Sequence, residues 1–205
     1  MAVADQVSVG SFRLQNVAFL VFPDDQPPFS EGMPLGTRGL VGLPVLMAFQ
    51  RFGGTGWGDN MKFDIGSKLS SQGAPHADMC FEGKNPVTQL QFENRSLMFS
   101  VDTGATNTDL NPAFAQAFPE LIRTAEKTSS YKMEGVGSVR YLDAAILPSV
   151  PFSIGGFPVV LHHADVLLEQ SVAGYKMFYG NLGNDLLKQA HQTTFDFKAM
   201  TLTLQ

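Results

Sequence analysis

The apolar residues of this 205-residue chain occur in short runs, and this spacing restricts the fold more than any other feature. Most runs are four to eight residues long, rich in Val, Phe, Leu and Ile, and bounded by Gly, Pro, Asn or Asp, which is the pattern of β-strands. The runs that predict strands are residues 6–9, 16–22, 62–65, 88–92, 97–101, 139–146, 159–163, 194–197 and 201–204. The sequence therefore predicts an all-β protein.

Helical spacing is confined to short pieces, at residues 44–52, 112–128 with a break at Pro119, and 185–191. Asn111 followed by Pro112 is a typical helix start, with a capping residue before a proline in the first turn. The Gly-rich residues 53–58 lack the Lys-Ser/Thr pair of a phosphate loop, and they predict a hairpin connection instead. A few short helices are expected beside the strands.

Composition and charge exclude several classes of function. The net charge of −5 and the absence of Lys/Arg runs give no basic field for nucleic acid. No apolar stretch reaches the roughly 18 residues of a membrane-spanning helix. The first residues lack the basic start and apolar core of a signal peptide, so export would require a signal upstream of Met1, and the compartment stays open.

Two observations argue against a metal or another cofactor. Cys80 is the single cysteine, which excludes an intrachain disulfide and a Cys-rich metal site. His162 and His163 are adjacent, and neighbouring side chains of a strand point to opposite faces. We therefore predict no metal site and no cofactor.

The first and last thirds of the chain resemble each other in three successive blocks. The paired blocks are residues 7–22 with 150–161, 39–49 with 180–190, and 61–65 with 193–197. A polar stretch rich in Gly, Ser and Pro separates them and predicts a linker. The predicted organisation is a first module at residues 1–66, a linker at 67–77 and a second module at 78–205. The second module carries a long section before its repeated blocks, and the first has no counterpart of that section.

That additional section contains the most informative run, Leu97-Met-Phe-Ser-Val-Asp-Thr-Gly-Ala-Thr106. An apolar strand delivers one carboxylate, Asp102, into a turn made by Thr103 and Gly104. A hairpin containing Gly135-Val136-Gly137 follows about thirty residues later, and a Gly-Asn-Leu-Gly block with a short helix comes after it. The triplet is common by chance, so its context makes it specific.

These motifs, in this order, resemble the aspartic peptidase superfamily, particularly the retropepsin-like branch found in bacterial two-lobed proteins. The run from Asp102 to Ala105 resembles the catalytic signature of that family. Asn181-Leu182-Gly183 resembles the apolar-apolar-Gly motif that crosses behind the catalytic loop, and Leu40-Val41-Gly42 resembles the same motif of a first lobe. Gly135-Val136-Gly137 is similar to the tip of the flap that closes over substrate.

The resemblance implies a pepsin/retropepsin-like acid protease barrel with a complete lobe at residues 78–205 and the C-terminal half of a first lobe at 1–66. It implies an aspartic endopeptidase that hydrolyses polypeptides through a water activated by two aspartates. Asp102 would be one of them, Thr103 would brace the catalytic loops through its hydroxyl, and Gly104 would let N–H groups approach the carboxylate. The residues implied in substrate binding are Ala105, Thr106, Gly135, Val136 and Gly137, with Thr106 also able to hydrogen-bond the carboxylate.

The source of the second aspartate stays open, because no Asp-Thr-Gly or Asp-Ser-Gly precedes Asp102. An upstream segment of the same protein or a second copy of the chain could supply it, and the upstream segment is favoured because the half-lobe occupies the place of a dimer partner. Asp64 and Asp196 lie in matching Phe-Asp strands, where alternation predicts structural roles. The alternative function is a catalytically inactive peptide-binding or assembly module with the same fold.

Overall fold

A computed structural model describes residues 1–21, 39–56, 62–66, 75–135, 138–169 and 177–205 of the chain. Its strands are β1 (Ala2–Val9), β2 (Phe12–Phe19), β3 (Arg51–Thr55), β4 (Lys62–Ile65), β5 (His76–Glu82), β6 (Asn85–Phe92), β7 (Arg95–Val101), β8 (Asp109–Leu110), β9 (Glu126–Gly135), β10 (Ser138–Ile154), β11 (Phe157–Leu167), β12 (Gly180–Leu182), β13 (Gln192–Asp196) and β14 (Thr201–Leu204). Its helices are α1 (Leu43–Ala48), α2 (Pro112–Ala117), α3 (Pro119–Arg123) and α4 (Asn184–Leu187). The prediction of an all-β fold with short helices is confirmed.

One large sheet contains all the described strands except β1 and β2, which form a separate antiparallel hairpin. Its order is β4-β3-β13-β14-β5-β6-β7-β12-β8-β11-β10-β9, and β6 also pairs with β10. This additional pairing, at Ile154 and Leu90, closes six strands into a barrel, in the order β6, β7, β12, β8, β11 and β10. The run from Leu97 to Thr106 therefore begins on β7, one of the strands of this barrel.

Alternating side chains of the barrel strands form the core. In β6, Leu90 and Phe92 are buried, whereas Gln89 and Gln91, which alternate with them, are exposed. Phe92 contacts the rings of Phe118 and Phe152, with centroid distances of 4.9 and 5.5 Å. Each buried aromatic ring contributes roughly 1.5–3 kcal/mol of hydrophobic stabilisation. Phe114 of α2 belongs to the same aromatic cluster, with its ring centroid 5.5 Å from that of Phe92.

The helix predicted at residues 112–128 is shorter than expected. It begins at Pro112 directly after Asn111, as predicted, and breaks at Phe118 before α3. The Asn111 side chain makes no capping hydrogen bond and donates instead to the Phe178 carbonyl. The continuation beyond Arg123 is wrong, because β9 begins at Glu126 and pairs with β10. That pairing is a long-range interaction, so local spacing could not reveal it. The helix predicted at 185–191 is likewise reduced to α4.

The Gly-rich segment predicted as a hairpin connection, residues 53–58, contributes its first three residues to strand β3, which forms an antiparallel hairpin pair with β4. Residues Arg51–Thr55 pair with β13 on one side and with β4 on the other. A Cβ atom on Gly53 would lie 2.9 Å from the Cα atom of Thr194, so a side chain there would collide with the neighbouring backbone. Glycine permits this close approach, although it is a weak strand former.

The pairing of β3 with β13 relates the two repeated parts of the chain. Gly53 is paired with Thr194, and these residues are 141 positions apart, as are Gly42 and Gly183, which precede α1 and α4. An antiparallel pair between equivalent strands has a local two-fold axis at its centre. By element order, β3 rather than residues 61–65 is therefore the counterpart of β13. The predicted linker mostly lies outside the described residues, and its last two residues, His76 and Ala77, begin β5.

Candidate active site

Asp102 lies in the turn that follows β7, with its side chain exposed. The N–H of Gly104 donates a hydrogen bond to Asp102 Oδ1 at 2.9 Å. The N–H of Ala105 donates to the Asp102 carbonyl oxygen at 3.1 Å, which closes the turn. A Cβ atom on Gly104 would lie 3.2 Å from Oδ1 and would crowd the carboxylate. The turn thus fixes the carboxylate while leaving it open to solvent.

The chain passes behind this turn at the end of β12. The Asp102 N–H donates to the Leu182 carbonyl at 3.0 Å, and the Asn184 N–H donates to the Ala105 carbonyl at 2.9 Å. The side-chain amide of Asn184 donates to the Thr103 carbonyl, also at 2.9 Å. The beginning of α4 therefore holds the turn through both its backbone and its side chains.

Two glycines make this crossing possible. A Cβ atom on Gly183 would lie 2.6 Å from the carbonyl carbon of Asn107, and one on Gly180 would lie 2.5 Å from the carbonyl oxygen of Asp109. Neither distance is compatible with a normal side chain. The Gly-Asn-Leu-Gly block is therefore required by close packing between two backbone segments.

Sequence reasoning missed the hydroxyl groups that secure the crossing. Buried Thr108 accepts a hydrogen bond from the Gly183 N–H at 2.9 Å and donates one to Asp185 Oδ1 at 2.5 Å. Ser100 on β7 donates to Asn181 Oδ1 on β12 at 2.7 Å. The sequence signal for these residues is their position close to the Asp-Thr-Gly triplet. Because Ser and Thr are common residues, that position alone does not identify them before the fold is known.

The structure brings five predicted site residues together in one turn, Asp102, Thr103, Gly104, Ala105 and Thr106. Thr103 and Thr106 offer their carbonyl oxygens to α4, and the Asp185 N–H donates to that of Thr106 at 3.2 Å. Gly135 ends β9 and is paired with Ser138, so the predicted hairpin is present. Val136 and Gly137 lie outside the described residues.

A cavity of about 420 Å³ opens beside the carboxylate. Asp102, Thr103 and Gly104 line this cavity together with residues from both modules. The other lining residues are Leu40, Val41, Gly42, Leu43, Leu46, Phe52, Pro86, Val101, Phe195 and Phe197. The cavity is therefore mostly apolar, with one carboxylate at its edge.

The two apolar-apolar-Gly motifs have different surroundings. Leu182 is fully buried behind the Asp102 turn, whereas Leu40 and Val41 are 54% and 61% exposed. Both motifs precede a short helix in the same way, at Gly183 and Gly42. Within the described ranges, the second motif alone carries an Asp-Thr-Gly turn against it.

Comparison of the fold with solved structures finds proteins of similar architecture. The chain is similar to a retropepsin-like aspartic protease from Rickettsia conorii, with a TM-score of 0.44 and 19% identity over 62% of this chain and 87% of that one. It is also similar to the retroviral protease-like domain of Ddi1 from Leishmania major, with a TM-score of 0.42 and 20% identity over 60% and 90% of the two chains. No family model and no curated protein sequence matches the chain.

Asp196, for which the sequence predicts a structural role, is held by an ion pair and by backbone hydrogen bonds. Asp196 is buried, forms an ion pair with Arg51, and accepts hydrogen bonds from the N–H groups of Lys198 and Ala199 at 2.9 and 2.8 Å. Burial acts to raise the pKa of Asp196, but the Ala199 N–H and Arg51 outweigh it and hold that pKa below its ordinary value. This carboxylate links β13 to β3.

The described residues contain no cluster of three or more His, Cys, Asp or Glu side chains arranged to hold a metal ion. Among those same residues, no helix is long and apolar enough to cross a membrane.

Proposed function

We propose that this chain is part of an aspartic endopeptidase and supplies Asp102 as one of two catalytic carboxylates. The observation that carries the proposal is the position of Asp102, exposed in a turn braced by α4 and lining a cavity whose other lining residues are mostly apolar. A polypeptide in extended form fits such a site, since a hairpin can bind its backbone by strand-like hydrogen bonds.

The chemistry requires a second carboxylate close to Asp102. Two carboxylates about 3 Å apart cannot both ionise and so share one proton. The ionised group takes a proton from a water molecule, which attacks the peptide carbonyl carbon, while the protonated group donates its proton to the carbonyl oxygen. The N–H of Gly104 holds Asp102 in a fixed orientation for this exchange.

The wall formed by Leu40, Val41 and Gly42 is the place from which the second carboxylate would come. The matching motif at Asn181–Gly183 supports the Asp102 turn, so an equivalent turn on Leu40–Gly42 would lie across the cavity. We propose that an upstream segment supplies that turn. The pairing of β3 with β13 favours this source, because the first module already occupies the side on which a second copy would dock.

The test is cleavage of a broad peptide library at pH 3–7 by this chain, by its Asp102→Asn variant, and by a longer product if the gene extends upstream. We expect activity in the longer product and its loss in Asp102→Asn of that product. The matched control is Asp64→Asn, which removes a carboxylate from an exposed position on β4 and should leave cleavage unchanged.

Each outcome identifies a different arrangement. Activity of this chain alone that rises with protein concentration and vanishes in Asp102→Asn would assign the second carboxylate to another copy. Absence of cleavage by folded protein in every form, together with peptide binding, would overturn the proposal in favour of the non-catalytic peptide-binding module.

A further inference from the structure

Another carboxyl side chain, that of Asp109, lies seven residues after Asp102, on the strand that follows the Asp102 turn. Asp109 on β8 is paired with Asn181 on β12, and it is only partly exposed. Its Oδ1 atom accepts a hydrogen bond from the hydroxyl of Tyr131, which lies on β9. This contact joins the base of the Asp102 turn to one arm of the β9–β10 hairpin.

The surroundings of Asp109 are acidic on several sides. Asp165 on β11, Asp185 at the start of α4 and Asp102 in the turn all act on it electrostatically. Burial, followed by these three carboxylates, raises the pKa of Asp109 to about 6, although the Tyr131 hydroxyl opposes the shift. Burial also raises the pKa of Asp165, against the opposing effect of His163.

Tyr131 is well placed to control the hairpin. It is paired with Leu142 on β10 and lies four residues before Gly135, the end of β9. At about 3.3 Å per residue, this places the contact roughly 13 Å from the end of the strand. A hydrogen bond at this point restrains the arm at a distance from the end of β9.

We propose that Asp109 is a positioning residue, which holds the β9–β10 hairpin against the Asp102 turn through Tyr131, in a docked arrangement that acid stabilises because it buries the Asp109 carboxyl group. A protonated carboxyl group keeps an oxygen that can accept the tyrosine hydrogen bond. The role of the hairpin as a substrate flap rests on the proposed function, whereas the contact and its pH dependence do not.

The direction of the pH effect follows from linkage. In this proposal, lifting the hairpin arm exposes Asp109 to water, and this hydration outweighs the loss of the Tyr131 hydrogen bond, because burial is the larger of the two effects on its pKa. The pKa of the lifted form therefore moves towards the ordinary value near 4. The docked form then binds the proton more tightly than the lifted form, so acid favours docking. Docking is strongest below about pH 4 and weakens as the pH rises through the pKa of about 6.

Hydrogen–deuterium exchange of the β9 and β10 amides at pH 5 and pH 8 tests this proposal without requiring catalysis. Rates are divided by those of the unfolded chain at the same pH, and β5 and β6 serve as internal references. At pH 5, Tyr131→Phe should exchange about fivefold faster than wild type, the factor expected for loss of one ordinary hydrogen bond. The matched control Tyr141→Phe, at an exposed position on β10, should behave as wild type.

Asp109→Asn separates protonation from simple structural support, since the amide retains an acceptor oxygen but does not titrate. We expect its hairpin to exchange at both pH values as slowly as the wild-type hairpin at pH 5. Wild-type exchange in Tyr131→Phe would overturn the contact, and an unchanged pH dependence in Asp109→Asn would overturn the role of protonation. Because Asp102→Asn cleavage is a separate measurement, failure of either proposal leaves the other testable.

Discussion

At the scale of single residues, the candidate site depends on glycines, which have no side chain, as well as on polar side chains that form hydrogen bonds. Gly180 and Gly183 let β12 and the start of α4 pass within contact distance of the Asp102 turn. Thr108 and Asn184 then satisfy the polar groups that this crossing buries. An unpaired buried polar group costs about 1–3 kcal/mol, so these side chains stabilise the turn even though they do not touch the cavity.

Gly183→Ala tests the steric requirement of the crossing. The new Cβ atom would collide with the carbonyl of Asn107, and we expect the free energy of unfolding to fall by about 1–3 kcal/mol. Urea unfolding followed by circular dichroism measures the change. Gly39→Ala is the control, since nothing lies within 4 Å of the Cβ position there. An equal loss in both variants would contradict the steric explanation.

At the scale of elements, the β3–β13 pair joins the two repeated parts of the chain. Phe52 on β3 stacks on Phe195 on β13 with a centroid distance of 4.7 Å, and Arg51 forms its ion pair with Asp196 at the edge of the stack. Backbone pairing, ring stacking and the ion pair therefore act in one place. The first module is attached through this pair to the strand that follows α4.

Asp196→Asn weakens this attachment in a pH-dependent way. The folded-state pKa of Asp196 is depressed, so its carboxylate contributes stability above the unfolded pKa of about 4 and loses that contribution as pH falls through the folded pKa. We expect a loss of about 2 kcal/mol at pH 7, allowing for the partial exposure of Arg51, and a smaller difference from wild type below pH 4. Urea unfolding at pH 3 and pH 7 checks this.

Asp64→Asn is the control for that measurement, because its carboxylate is exposed on the neighbouring strand. It should change the free energy of unfolding by less than about 0.5 kcal/mol at either pH. A loss in Asp196→Asn that is the same at pH 3 and pH 7 would assign the effect to packing rather than to charge.

At the scale of the whole molecule, the barrel is well packed, whereas the first module presents apolar side chains to solvent. Leu20, Val21, Leu40 and Val41 are all exposed. Leu40 and Val41 also line the cavity that Asp102 lines. Exposed apolar surface of this kind promotes association, so the wall that we assign to the second catalytic turn is also a surface prone to self-contact.

Leu40→Ser/Val41→Ser should reduce that association. Removing two apolar side chains lowers the hydrophobic gain on contact, and we expect the average mass at tens of micromolar protein to shift towards the monomer in sedimentation velocity experiments. Tyr141→Ser provides the control, since it removes an exposed ring from β10, away from the cavity. A decrease in association in Tyr141→Ser but not in the double variant would contradict this assignment.

Local sequence identified the Asp102 turn and most of the strands, because alternation and turn residues act over a few positions. It did not identify β3, since Gly53 and Gly54 have no strand propensity and are selected by contact with β13. It also placed helix where β9 begins at Glu126, since that strand depends on pairing with β10. Thr108 and Asp109 carried no motif, and their roles depend on neighbours distant in the chain.

The sequence by itself determined the all-β class, the short helices and the order of the motifs, because hydrophobic periodicity and turn chemistry are local properties. Only the tertiary structure decided that Asn181–Gly183 crosses behind Asp102, that β3 pairs with β13, and that Tyr131 reaches Asp109. Each of these contacts joins residues more than twenty positions apart. Their energies come from packing and hydrogen bonding that exist only once these distant segments of the chain are brought together.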